Sequence, residues 1–217
     1  MDEFLNKIVK SVSDIDKRMI IGISGHGASG KTTLAHRLIT LFGKEHVNYI
    51  NTDPYIIKSS RIRKYALIDY EYEGVKYRYK MTACHPGAHN ISALERDIRM
   101  IREGLELYTI ATDYTESEFI SSEKKINIIE GMSVAFTDPE LYDFKIYLYT
   151  DDETELMWRS SRDVEERGSN LDFVRQSHEQ RRIQYRLLMH HYHQNFDVVI
   201  KNSNKGYVLG KERGIKR

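Results

Sequence analysis

The sequence predicts an α/β protein with a parallel sheet of about five strands and helices on both faces. Three observations carry that expectation. Short β-branched or apolar runs recur at Met19–Ile23, Val47–Asn51, Ile126–Ile129, Phe144–Tyr149 and Val198–Ile200, as strands buried on both sides require. Between them lie longer segments whose apolar residues recur at helical spacing. At 217 residues, with three prolines and no repeat or low-complexity linker, the chain fits one domain with a full core over residues 1–217.

Taken in order, Phe4, Leu5, Ile8, Val9 and Val12 have the spacing of a short leading helix. The run Met19–Ile23 is the first strand. Thr32 to Phe42, with Leu34, Leu38, Ile39 and Leu41, is a helix closed by Gly43. The turn between them reads GHGASGKTT from Gly25, a G-x-x-x-x-G-K-T spacing that identifies a phosphate-binding loop. Glycine loses the most backbone freedom on folding, so Gly25, Gly27 and Gly30 in one turn imply something bulky lying against bare backbone. Amide groups and the positive end of the helix dipole converge there on an anion. Gly25, Gly27, Ala28, Ser29, Gly30, Lys31, Thr32 and Thr33 would therefore cradle ATP. Lys31 would reach the β- and γ-phosphates, and the Thr32 hydroxyl would reach Mg²⁺. The fold expected is thus the three-layer P-loop NTPase fold.

The second strand ends at Thr52-Asp53-Pro54-Tyr55. Asp53 can accept a proton from an attacking hydroxyl, or serve as a turn residue ahead of proline. In ALIDYEYEGVKYRYK, residues 66–80, a two-residue turn at Glu73-Gly74 would pair Tyr72 with Val75, Tyr70 with Tyr77 and Ile68 with Tyr79. Glu71 would then face Lys76, and Asp69 would face Arg78. Such a ribbon suits equally a cover for its own apolar patch and a flap over a substrate. Ser92-Ala93-Leu94-Glu95 has the form of a capping box, ahead of Leu94, Ile98 and Ile101 in a helix ending near Gly104. The strand Ile126–Ile129 stops at Glu130, which can hold Mg²⁺ or cap the next helix. Phe144–Tyr149 ends at Thr150-Asp151-Asp152, and a charged helical region follows through His193, interrupted at Gly168-Ser169-Asn170. Within it Arg159 and Arg162 share a helix face at i, i+3. They suit a solvated face or an arginine lid, at about residues 159–170, over a transferring phosphate. His190, His191 and His193 lack a carboxylate or cysteine pattern that would complete a metal site, and they read as a polar helix face.

Together these motifs resemble the uridine kinase and phosphoribulokinase family of P-loop kinases, from about Ile20 to Ile200. GHGASGKTT looks like its P-loop, TDPY its D-x-F-Y acid, and HPGAHNISALERDIRMIREG its HPDAFD segment and helix. IIEG matches its Walker B strand and RSSRDVEERG its arginine lid. The resemblance implies Asp53 as general base, Glu130 as metal-assisting acid, and Arg159, Arg162 and Arg167 as lid. It places Tyr55, His85, Asp113 and Tyr114 near the acceptor. The nucleoside readers depart from the pattern. Phe-Asp before the His-Pro is here Ala83-Cys84. The Tyr and His of Y-D-x-x-x-H are here Thr112 and Ser117, and the arginine ending ERGR is Ser169. Cys84 cannot replace a carboxylate's paired acceptors.

The function expected is therefore transfer of the ATP γ-phosphate to a hydroxyl of a small molecule, with Mg²⁺ and an altered acceptor pocket. A true uridine or cytidine kinase and a nucleotide-binding regulator without turnover are the alternatives. Lys plus Arg is 33 and Asp plus Glu is 32, which argues for neither nucleic acid nor an anionic membrane as partner. A homo-oligomer is left open. Cys84 is the only cysteine, consistent with a cytoplasmic protein.

Overall fold

Alternation along the strands decides which layer each side chain joins. The computed structural model describes residues 1–13, 15–58, 63–113, 115–165 and 170–212. In chain order they form α1 (Asp2–Ser13), β1 (Met19–Gly25), α2 (Lys31–Phe42), β2 (Val47–Asn51), β3 (Leu67–Tyr72), β4 (Val75–Lys80) and α3 (Ile91–Arg102). Then come β5 (Leu107–Tyr108), β6 (Phe119–Ile120), β7 (Ile126–Glu130), β8 (Phe144–Tyr149), α4 (Asp152–Glu165), α5 (Leu171–Leu188), β9 (Val198–Ser203) and β10 (Gly206–Glu212). The main sheet runs β10-β9-β8-β1-β7-β2. Its five strands from β9 to β2 are parallel. The expected three-layer α/β fold is present.

On one face, Ile21 and Ile23 of β1, Ile128 of β7 and Ile146 and Leu148 of β8 pack with Leu5, Ile8 and Val12 of α1 and Leu34 and Leu38 of α2. On the other, Ile20, Ile129, Tyr147 and Val199 pack with Leu94, Ile98 and Ile101 of α3 and Tyr185 of α5. Because β1 lies mid-sheet under helices on both sides, all seven of its residues are buried. Each buried aliphatic side chain contributes about 1.5–3 kcal/mol, which holds the layers in register.

Three local expectations meet the structure differently. The ribbon forms with the register expected, Tyr70 opposite Tyr77 and Asp69 opposite Arg78. Glu73 (φ 51) and Gly74 (φ 77) both adopt the left-handed turn conformation, which explains the glycine and strains the glutamate. The capping box does not form. Asn90 is the residue preceding α3, and Glu95 instead accepts hydrogen bonds from Arg99 and the Asp138 amide. The sheet also gains β10, an antiparallel edge strand that the sequence did not suggest, because Tyr207, Val208 and Leu209 stay exposed. No described helix is long and apolar enough to cross a membrane.

The carboxyl ends of β2 and β7 approach closely at Gly131. This residue has φ 146, and a Cβ there would lie 2.0 Å from Thr52 Oγ1. Gly131→Ala should destabilise the fold by about 1–3 kcal/mol, read from the denaturant midpoint. An unchanged midpoint would contradict the close approach.

Candidate active site

Parallel β1, β2, β7 and β8 bring their carboxyl ends to one edge of the sheet, the usual ligand crevice of such folds. There the chain from Gly25 to Gly30 turns tightly into α2, with φ 144 at Gly25, 61 at Ala28 and 91 at Gly30. A Cβ at Gly25 would meet the Leu148 carbonyl oxygen at 1.8 Å, and one at Gly30 would meet Asn202 Nδ2 at 2.4 Å. Asn202, from β9, donates to the Ser29 carbonyl at 3.0 Å and braces the turn from outside. Lys31 leads α2, and its Nζ donates to the His26 carbonyl at 3.2 Å, 3.9 Å from Glu130 Oε1. Glu130, buried at the end of β7, accepts from Thr32 Oγ1 at 3.2 Å and from the Tyr49 hydroxyl at 2.9 Å.

These groups line a cavity of about 750 Å³ whose walls include Gly27, Lys31, Thr32, Asp53, Glu130 and Arg159. Asp53 is exposed, and its amide donates to Asn51 Oδ1 at 2.8 Å. The turn-forming role weighed for it is thus present beside its place on the cavity wall. Arg159 reaches from α4 so that a Cβ on Gly27 would lie 2.8 Å from its Nη2. Ser29 Oγ and Arg159 Nε are buried with no hydrogen-bond partner among the described residues. Bare backbone, a lysine, a buried guanidinium and two unsatisfied polar atoms fit a polyphosphate. A hydroxyl beside a carboxylate, at Thr32 and Glu130, fits a hard divalent cation.

A buried polar cluster that sequence reasoning missed holds this arrangement. Glu155 of α4 accepts from Arg159 Nη2 at 2.6 Å and from Arg182 Nη1 at 2.8 Å, and its Oε2 lies 3.4 Å from His26 Nδ1. His26 Nε2 accepts from the Thr150 amide at 2.9 Å, so in the neutral ring Nδ1 carries the proton and donates to the Gly27 carbonyl. Burial pulls the His26 pKa down and keeps it neutral, despite the Glu155 charge. Glu155 stays ionised. Burial raises its pKa, but His26 and Arg159 outweigh that and hold it well below the carboxylate range. One signal was legible: Glu155 stands four residues before Arg159, on the same helix face.

None of Tyr55, His85 and Asp113 lies in the wall of the P-loop cavity. Tyr55 is 1% exposed in the core, its hydroxyl donating to Asp97 Oδ2 at 2.6 Å. His85 accepts from the Gly87 amide at 2.9 Å and shapes its own turn. Asp113 is exposed and pairs with Lys58. Asp151 accepts from the Thr154 amide at 3.0 Å and caps α4. The Arg162 side chain, Arg167 and Tyr114 lie outside the described residues.

Residues 20–208 match the model of the phosphoribulokinase / uridine kinase family. A uridine kinase from Lactobacillus helveticus is 35% identical over 167 residues, 74% of either chain. A phosphoribulokinase from Synechocystis sp. is 28% identical over 195 residues, 87% of this chain but 55% of that longer protein. The solved phosphoribulokinase from Rhodobacter spheroides superposes with TM-score 0.60 at 17% identity, covering 85% of this chain and 70% of the other; it shares the fold. The chain belongs to the phosphoribulokinase / uridine kinase family.

His89 binds the loop at 82–89 to the segment after β7, and it does so as a neutral ring. Its Nε2 donates to the Ala83 carbonyl and Nδ1 accepts from Ser133 Oγ, both at 2.8 Å. Burial lowers its pKa from 6.5 to about 4. A folded value below the unfolded one means that the unfolded chain binds more protons between these values. Stability is then complete above pH 6.5 and declines as the pH falls toward 4. By pH 5 the loss from His89 should be about 2 kcal/mol. Denaturant titrations at pH 7 and 5 should show a smaller difference for His89→Gln. Equal differences in variant and parent would contradict this.

Proposed function

We propose that the chain transfers the γ-phosphate of ATP to a hydroxyl of a small molecule, and that this acceptor is not held as a nucleoside. One observation carries the proposal: Lys31, Thr32, Glu130, Asp53 and Arg159 share one cavity built on a glycine-lined turn at a helix N-terminus. Phosphoryl transfer needs charge neutralisation and alignment more than covalent help from the protein, and this set supplies both. The amides of the turn and Lys31 would bind the phosphates. Thr32 and Glu130 would hold Mg²⁺, which when bound would supply neutralisation of phosphate charge. Asp53 would take the acceptor's proton as its oxygen bonds to the γ-phosphorus, while the bond to the bridging oxygen breaks and ADP leaves. Arg159, fixed by Glu155 against Gly27, would meet charge that develops in the transition state.

Asp53→Asn keeps size and polarity but cannot accept the proton. With an acceptor that supports ADP release, kcat should fall by about 10²–10⁴ while ATP affinity stays unchanged. Normal turnover would return Asp53 to its turn-forming role. Uridine and cytidine should be poor acceptors, since a site without matching partners leaves ribose hydroxyls buried and unpaired at about 1–3 kcal/mol each. Turnover of either near ~10 s⁻¹ with KM below about 1 mM would overturn that part of the proposal.

A further inference from the structure

A cavity of about 450 Å³ lies in the angle between α2, the edge strand β2 and the short strand β6, and it shares no lining residue with the P-loop cavity. Its volume falls within the ~300–1,000 Å³ of sites that take small molecules. Ile39 of α2, Val47 and Tyr49 of β2, and Phe119 and Ile120 of β6 give it an apolar, partly aromatic wall. Phe119 is 50% exposed, a ring that the fold leaves open to a second planar group.

The polar side of the wall is cationic in sum. Lys44 is exposed there, with no ion-pair partner among the described residues. Lys124 Nζ donates to the Val47 carbonyl at 3.2 Å and to the Lys44 carbonyl at 3.5 Å, contacts that fix its ammonium without cancelling its charge. Glu118 is the one carboxylate among the described lining residues, and it is exposed, so solvent screens its opposing charge. Aromatic and aliphatic side chains beside two ammonium groups match a flat ring that carries an anion.

The inner wall reaches the cation site. The Tyr49 ring lines this cavity, while its hydroxyl donates at 2.9 Å to Glu130 Oε2, the oxygen that also accepts from Thr32 Oγ1 at 3.2 Å. Burial and the Glu130 charge raise the Tyr49 pKa, which keeps the hydroxyl protonated and donating. The His36 ring meets that of Tyr49 edge-on, 5.6 Å between centroids, from one turn beyond Thr32 on α2. A molecule leaning on these two rings holds the Tyr49 hydroxyl on Glu130 Oε2 and leaves Oε1 facing Lys31, 3.9 Å away in the P-loop cavity.

We propose that this cavity is an effector site for a small planar aromatic compound bearing one anionic group, a carboxylate or a phosphate, and that its occupant tightens binding of the nucleotide with Mg²⁺ through Tyr49. Binding at the cavity is independent of the kinase reading above; the coupling rests on that reading's cation site. Lys44 and Lys124 take the anion, and the ring lies against Phe119 and Tyr49. By linkage, the nucleotide tightens the effector by the same factor.

Calorimetric titration of the full chain tests the site first, without nucleotide. Matched probes are indole-3-acetate with indole-3-acetamide, and phenyl phosphate with phenol. At least one anionic member should bind, at least fivefold tighter than its neutral counterpart, and the tighter anion tells whether carboxylate or phosphate is read. Phe119→Ala should weaken that binding and Lys44→Gln should remove most of the preference, both at exposed positions. Affinity for a non-hydrolysable ATP analogue with Mg²⁺ is then measured with and without the tighter probe at saturation. The probe should raise it at least threefold in the parent chain but not in Tyr49→Phe, which keeps the ring and removes the hydroxyl. No binding by any probe, equal affinity within both pairs, or binding that neither substitution alters would overturn the site. An analogue affinity that the bound probe leaves unchanged or lowers would overturn the coupling. Failure of the analogue to bind at all, with the probe bound, would set aside the nucleotide reading and leave the site standing.

Discussion

A turn of backbone that must accept a polyanion is the constraint on which the rest of this structure depends. From Gly25 to Gly30 three residues take positive φ, and neighbours leave no room for side chains at Gly25 or Gly30. Such a conformation is unfavourable in isolation and persists where its surroundings over-determine it. Here the surroundings come from two strands and one helix. Asn202 of β9 holds the Ser29 carbonyl, the end of β8 presents the Leu148 carbonyl and the Thr150 amide, and Lys31 of α2 folds back on the His26 carbonyl. The layers packed around β1 place those partners to within hydrogen-bonding distance.

The Glu155 cluster extends the same logic to α4 and α5. A carboxylate buried beside a phosphate site opposes anion binding unless its charge is matched, and here Arg159 and Arg182 match it. Removing one partner of such a buried pair typically costs about 3–5 kcal/mol, because the remaining charge is stranded. The cluster therefore ties the P-loop, through His26, to both helices that flank the lid segment. Arg159 is held in one orientation before any phosphate arrives, so its ordering is not added to the barrier of the reaction.

Much of the fold was legible because its signals are local. Short apolar runs and helical spacings mark the strands and helices, and the hairpin register follows once Glu73-Gly74 is taken as the turn. The P-loop was legible for a further reason: the glycines, Lys31 and Thr32 are adjacent in sequence. What was not legible depends on tertiary contact. Tyr55 reads as a site residue beside Asp53, yet its hydroxyl is claimed by Asp97, forty-two residues away. The capping box failed because Asn90 starts the helix and Glu95 finds Arg99 and Asp138 instead. The edge strand β10 carries no burial signature, because its residues pair backbone to backbone and leave their side chains in solvent.

The central claim, that this turn binds the phosphates of a nucleoside triphosphate, is tested most directly by calorimetric titration of ATP with Mg²⁺ into the full chain and into Lys31→Ala. The account predicts saturable binding at one site in the parent chain, weakened at least tenfold in the variant, about 1.4 kcal/mol. Absence of ATP binding to the parent chain, or equal affinity in the two, would contradict it.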